Sequence, residues 1–193
     1  MHVLALIVLL FIGFVGSEPA PNTAPKPARD PVIAAVERLD FLLGEWDGDG
    51  MLAGNEKSVT QKGPWKIEKA FGGRFVRLEF DAVVDEGAGG NNRFVGYFTF
   101  DPQSGKYTTL WLNVENLFQF RETGDLDADG RVLTLISEQS RKDGSIVKVR
   151  SVFTRADENH LTVEDHPLDE DGRPIRKSFG FELTRKKERD ATK

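Results

Sequence analysis

The run Arg93-Phe94-Val95-Gly96-Tyr97-Phe98-Thr99-Phe100, followed by Asp101-Pro102-Gln103-Ser104-Gly105 and then by Tyr107-Thr108-Thr109-Leu110-Trp111-Leu112-Asn113, is a β-hairpin written out in residues. Both arms are rich in aromatic and β-branched side chains, which suit a pleated surface. The connection supplies proline and glycine, which set φ where a chain reverses. In the second arm Tyr107, Thr109, Trp111 and Asn113 share one face, and Leu110, Leu112 and Val114 share the other.

Working outward, the same grammar repeats. Before the hairpin, strands are predicted at Glu45 to Leu52, Ser58 to Lys69 and Arg74 to Val83. After it, strands are predicted at Leu117 to Glu122, Val132 to Glu138, Ile146 to Arg155, His160 to Asp165 and Arg176 to Thr184. Turns such as Asp127-Ala128-Asp129-Gly130, Lys142-Asp143-Gly144 and Asp171-Gly172-Arg173-Pro174 separate them. Consecutive strands joined by hairpins make a meander, and about ten strands close into a barrel without leaving an edge. The fold class expected is therefore all-β, an antiparallel up-and-down barrel with a short helix at its start. That helix comes from Val32, Ile33, Val36, Leu39, Leu42 and Leu43 at helical spacing, with Gly44 read as its left-handed cap. No further helical pattern intervenes, so a βαβ nucleotide-binding fold is not expected.

The 193 residues divide into four segments. Residues 1–17 read as a signal peptide: an apolar run from Val3 to Val15 ends at Val15-Gly16-Ser17, small residues of the kind a signal peptidase reads. A spanning helix needs roughly 20 residues, so the run is short for a membrane anchor. Residues 18–31 form a linker with five prolines between Pro19 and Pro31. Residues 32–187 form the barrel domain, and residues 188–193 a charged tail. The protein is expected outside the cytoplasm, periplasmic or secreted. Cysteine is absent, so disulfides, thiolate metal sites and a cysteine nucleophile are excluded. The net charge of -5, with no basic stripe before the final residues, argues against a nucleic-acid partner.

Several segments carry a family resemblance. Leu42-Leu43-Gly44-Glu45-Trp46 resembles the opening of lipocalin-like calycins, a Gly-x-Trp entering the first strand after a short helix. Ala70 to Phe75, Gly96 to Pro102 running on to Tyr107 and Trp111, Gly124 to Asp127, and Phe181 to Arg185 together resemble a bacterial family known only as domain of unknown function 1579. The resemblance covers Leu39 to about Lys186 and implies a calycin-like barrel, with no activity attached. Small ten-stranded calycins resembling nitrobindin bind haem through a histidine on the last strand. Counting back from Leu183-Thr184-Arg185, that position is Ser178, so the axial ligand is missing.

Chemical motifs are few. No nucleophile elbow, no His-Glu-x-x-His helix and no phosphate loop backed by a helix is present. Gly87-Ala88-Gly89-Gly90 reads as a hairpin loop. Asp125-Leu126-Asp127-Ala128-Asp129-Gly130 imitates half of an EF-hand loop, but its twelfth position is Ile136 and its flanks are strands. The hairpin is read as structural, and no metal or cofactor is expected. The expected function is non-enzymatic: binding of a small hydrophobic or amphipathic ligand in the interior, contacted by Trp111, Tyr97 and Phe179, with Asn113 or Arg77 fixing a polar group. The alternative is an interaction or structural protein whose barrel is filled by its own side chains.

Overall fold

The computed structural model describes residues 29–53, 58–84, 91–115, 118–140, 144–175 and 178–187. The expected signal peptide, most of the expected linker, the Gly87 to Gly90 segment and the expected charged tail lie outside these residues.

Ten antiparallel strands close on themselves in sequence order, with β1 hydrogen-bonded to both β2 and β10. They are β1 (Gly44–Ala53), β2 (Ser58–Ala70), β3 (Phe75–Val84), β4 (Asn91–Asp101), β5 (Lys106–Asn113), β6 (Gln119–Leu126), β7 (Val132–Ser140), β8 (Ile146–Arg155), β9 (His160–Pro167) and β10 (Phe179–Arg185). The expected all-β meander is thus the observed one. Strand β6 runs further than expected. Gly124-Asp125 resembles a turn in sequence, but the chain stays extended there because Gly124 presses against β7. A Cβ on Gly124 would sit 1.8 Å from the Thr134 carbonyl oxygen, so only glycine permits this pairing.

The helix is shorter than its periodicity suggests. Helix α1 (Pro31–Val36) gives way to a 3₁₀ helix at Glu37–Leu42. Asp30 caps α1 by accepting the Val32 amide at 2.9 Å, with Pro31 pre-set for the first turn. Val32, Val36, Leu39 and Leu42 are all buried. They close the barrel end where Trp46, Val76, Leu133 and Leu161 begin their strands. Gly44 is not the helix cap: Leu43 is already extended, and Gly44 opens β1 with φ +133°. Its lack of a side chain makes room for Arg185, whose Nη1 would lie 2.2 Å from a Cβ there.

Arg185 fastens this end. Its guanidinium lies 4.0 Å from the Trp46 ring centroid, Nη1 donates to the Leu43 carbonyl at 2.7 Å, and Nε donates to the Glu158 carbonyl at 2.9 Å. The Trp46 indole donates to the Leu42 carbonyl at 3.0 Å. Tyr107 ties helix to sheet by donating from its hydroxyl to the Ala35 carbonyl at 3.0 Å. Arg185→Ala removes a cation–π contact and two charged donors, so a loss of about 2 kcal/mol in urea unfolding is expected. A lysine cannot reproduce the planar fork and should restore less than half of that. A loss below about 0.5 kcal/mol would show that the latch is not needed.

No helix among the described residues is long and apolar enough to cross a membrane. The acidic hairpin spends its carboxylates locally. Asp125, on β6, pairs with Lys106 of β5, and Asp127 accepts the Arg131 and Val132 amides at 2.7 and 3.0 Å.

Candidate functional site

Strand alternation decides what the barrel encloses. On β5 the inward face is Tyr107, Thr109, Trp111 and Asn113, all buried, while the intervening side chains face out. On β3 the inward set is Val76, Leu78, Phe80 and Ala82. Toward the helix these residues meet the helix plug and fill the interior. At the opposite end no helix among the described residues covers the barrel, and a half-open cavity of about 300 Å³ remains. That volume lies at the lower limit of ordinary ligand sites.

The cavity wall is mainly aromatic. Trp65 and Phe80 stack with ring centroids 4.4 Å apart, and Phe80 stacks on Phe94 at 5.2 Å. Across the interior Trp111 lies nearly parallel to both Phe120 and Phe153, at 6.1 and 6.4 Å. Gly96, buried on β4, allows this: a Cβ there would meet the Trp111 ring at 2.8 Å. Phe179 forms another part of the wall, and Phe118, 40% exposed, stands at the mouth.

The polar part of the wall comes from β6 to β9. Glu122 is 2% exposed. It accepts hydrogen bonds from the Trp111 indole at 2.8 Å, the Thr109 hydroxyl at 3.1 Å and the Ser151 hydroxyl at 2.6 Å. Burial pushes its carboxyl above the usual range, and these three donors oppose the shift. Asp165 pairs with Ser151 in the β8–β9 register, so the two side chains emerge on the same face. Its carboxyl is pushed up to about 7, first by burial and then by the negative charge of Glu122, while a hydrogen bond with Ser151 pulls it down. Ser151 therefore bridges two carboxyls that resist being ionised together. Gln139 completes the polar wall.

Of the five residues singled out from sequence, the structure brings Trp111 and Phe179 to the cavity. Asn113 faces inward and is buried, but its carboxamide oxygen accepts the Glu115 amide at 3.0 Å in the β5–β6 connection, away from the cavity wall. Tyr97 and Arg77 are corrections. Gly96 and Phe98 occupy the inward phase of β4, so Tyr97 faces out, against Phe71 at 6.0 Å. Arg77 is out of phase with Leu78 and Phe80 and lies on the outer wall, donating to Glu79 at 2.7 Å and to Glu68 at 3.3 Å. Neither of the two described histidines lines the cavity. His160 is exposed beside Asp157, and His166 lies beside Glu164. Ser178 precedes β10, and its amide and hydroxyl both donate to the Asp165 carbonyl.

Sequence reasoning missed Glu122 and Asp165. The signal was one of phase: Glu122 alternates with Phe120 and Leu126, and Asp165 with Leu161 and Val163. A carboxylate in the apolar phase of a barrel strand is a marked position.

Ten meandering strands, a helix across one end and an aromatic cavity at the other define a small closed β-barrel with a half-open interior. Residues 34–178 match the family described as "Protein of unknown function (DUF1579)", and the chain belongs to that family. No curated protein matches the sequence. Among solved structures, an S-type phycobiliprotein lyase from Guillardia theta is similar with a TM-score of 0.54 and 10% identity, covering 80% of this chain and 94% of that one. A redesigned β-barrel, mFAP1, bound to DFHBI gives a TM-score of 0.39 and 15% identity, covering 77% and 98% respectively. The likeness to the lyase is one of fold.

Proposed function

We propose that the protein is a binding protein, not a catalyst, and that its open end takes one small, flat, largely apolar molecule. The observation that carries this is the cavity of about 300 Å³ between Trp65–Phe80 on one side and Trp111–Phe153 on the other. A barrel working only through its outer surface gains nothing from an unfilled aromatic interior, since each unfilled gap forfeits packing. Parallel rings favour a planar guest, which gains stacking on its faces. The proposal includes action outside the cytoplasm, supported by the apolar run Val3 to Val15 and the small residues that follow it.

The test uses 2-naphthol as a neutral planar probe, with thermal shift and tryptophan fluorescence on the full chain. Saturable binding with a rise in melting temperature is expected. Gln139→Trp, which adds bulk at the cavity wall, should weaken binding at least tenfold and leave the unliganded melting temperature within a few degrees. Binding unaffected by Gln139→Trp, or no saturable binding of the probe, would contradict the assignment.

A further inference from the structure

The cavity is aromatic on one side and acidic on the other, and among the described residues no basic side chain lines it. Glu122, Asp165, Ser151 and Gln139 are its polar lining among the described residues. The contrast with the outer wall is sharp. There Glu79 meets both Arg77 and Arg93, Glu68 meets Lys66 and Arg77, and Asp125 meets Lys106. Buried charges in folded proteins are normally paired, because an isolated one costs several kcal/mol.

A second polar group in the same interior lacks a partner. The Trp65 indole N–H, on a side chain 1% exposed, sits over Gly48 with no acceptor. Water could meet the indole, and a cation would offset the negative charge that Glu122 and Asp165 share.

We propose that the ligand is a planar aromatic cation, an amidinium, guanidinium or protonated amine on a one- or two-ring system. Its charged head is held by Glu122 and Asp165 and its ring lies between the stacked aromatics. The inference rests on the cavity reading above and deepens it. Two features of the site suit such a guest. Aromatic faces attract a cation as well as a ring. A carboxyl pair bridged by Ser151 also presents several acceptor oxygens to a flat, multi-donor head. The protons balance simply. In the empty site the pair retains a proton near neutral pH, and a bound cation lets both carboxyls ionise, so that proton leaves to solvent. Glu122 and Asp165 are the titratable groups facing one another. Thr109 and Trp111 from β5 and Ser151 from β8 are their uncharged neighbours. Affinity for a cation therefore rises as pH rises through 7.

The experiment is calorimetric titration of the full chain with 2-naphthamidine, 2-naphthamide and 2-naphthoate, which share shape and differ in charge. At pH 8 the amidine should bind at least tenfold tighter than the amide, and the naphthoate weakest of the three. Binding enthalpy should depend on the buffer, reporting proton release. Asp165→Asn should reduce the amidine-to-amide affinity ratio at least fivefold and remove the buffer dependence of the enthalpy, a pattern that simple loss of structure does not give. Equal binding of amidine and amide, or tightest binding of naphthoate, overturns the cation proposal and leaves the cavity reading standing. If no naphthyl compound binds, the cavity reading fails and the proposal fails with it.

Discussion

Trp111→Ala is expected to cost about 4 kcal/mol and to lower the melting temperature by about 10 °C, within the range for large-to-small core changes. The residue is 6% exposed and packs against Phe94, Phe98, Phe120 and Phe153. Its removal merges the existing cavity with the space it occupied. It also takes one donor from Glu122, a buried carboxylate that cannot recover it from solvent. Trp111→Phe separates the two causes: the ring remains and the N–H is lost, so about half of the effect should persist. Urea unfolding curves check this. If Trp111→Phe is as stable as wild type, the indole–Glu122 hydrogen bond does not contribute.

The second large effect is a pH dependence that runs opposite to acid denaturation. In the unfolded chain Asp165 ionises near pH 4, the usual range for a carboxyl. In the fold it keeps its proton up to about 7. Between those values the native state holds more protons than the unfolded state, so this residue's contribution to stability is full at the acid end. It falls as pH rises and is level above about 7. Glu122, also raised, acts in the same direction. Exposed carboxylates such as Asp101, Asp127 and Asp157 are lowered by hydrogen bonds from backbone amides and side chains. They pull the other way, losing stability as pH falls. The difference between wild type and Asp165→Asn isolates the buried group. Asparagine keeps the shape without the charge, so the variant should match wild type near pH 4 and exceed it by up to about 4 kcal/mol at pH 8. A variant less stable than wild type at pH 8 would mean that the ionised Asp165 is compensated within the fold.

The fold was legible because a barrel declares itself locally. Period-two alternation and turn glycines such as Gly105, Gly130 and Gly172, all at positive φ, mark strands and reversals without reference to anything distant. The strand whose C-terminal end was read furthest short, β6, hides its last alternation behind Gly124. The reason for that glycine, the Thr134 carbonyl against it, lies on another strand. The site was less legible because which face turns inward is a property of closure, not of one strand. Trp111 and Phe179 were recoverable as aromatics on strands. Tyr97 and Arg77 were chosen for side-chain chemistry, and their phase against Phe98 and Leu78 puts them on the outer wall. Glu122 and Asp165 were missed for the converse reason: their chemistry looks like that of surface residues, and only their phase marks them as interior. Phase, taken strand by strand, carries more functional information here than residue type.

The chain has three tryptophans, and the barrel assigns them different surroundings. Trp46 is fully buried at the helix end with its N–H held by the Leu42 carbonyl, whereas Trp65 and Trp111 line the cavity. The most direct measurement is a two-dimensional NMR titration that follows the three indole N–H signals as 2-naphthol is added to the full chain. A guest in the cavity should move the Trp111 signal most, then Trp65, with Trp46 least affected and all three saturating at one concentration. A titration in which Trp46 shifts as much as Trp111, or in which none of the three shifts, would contradict a binding site at the open end.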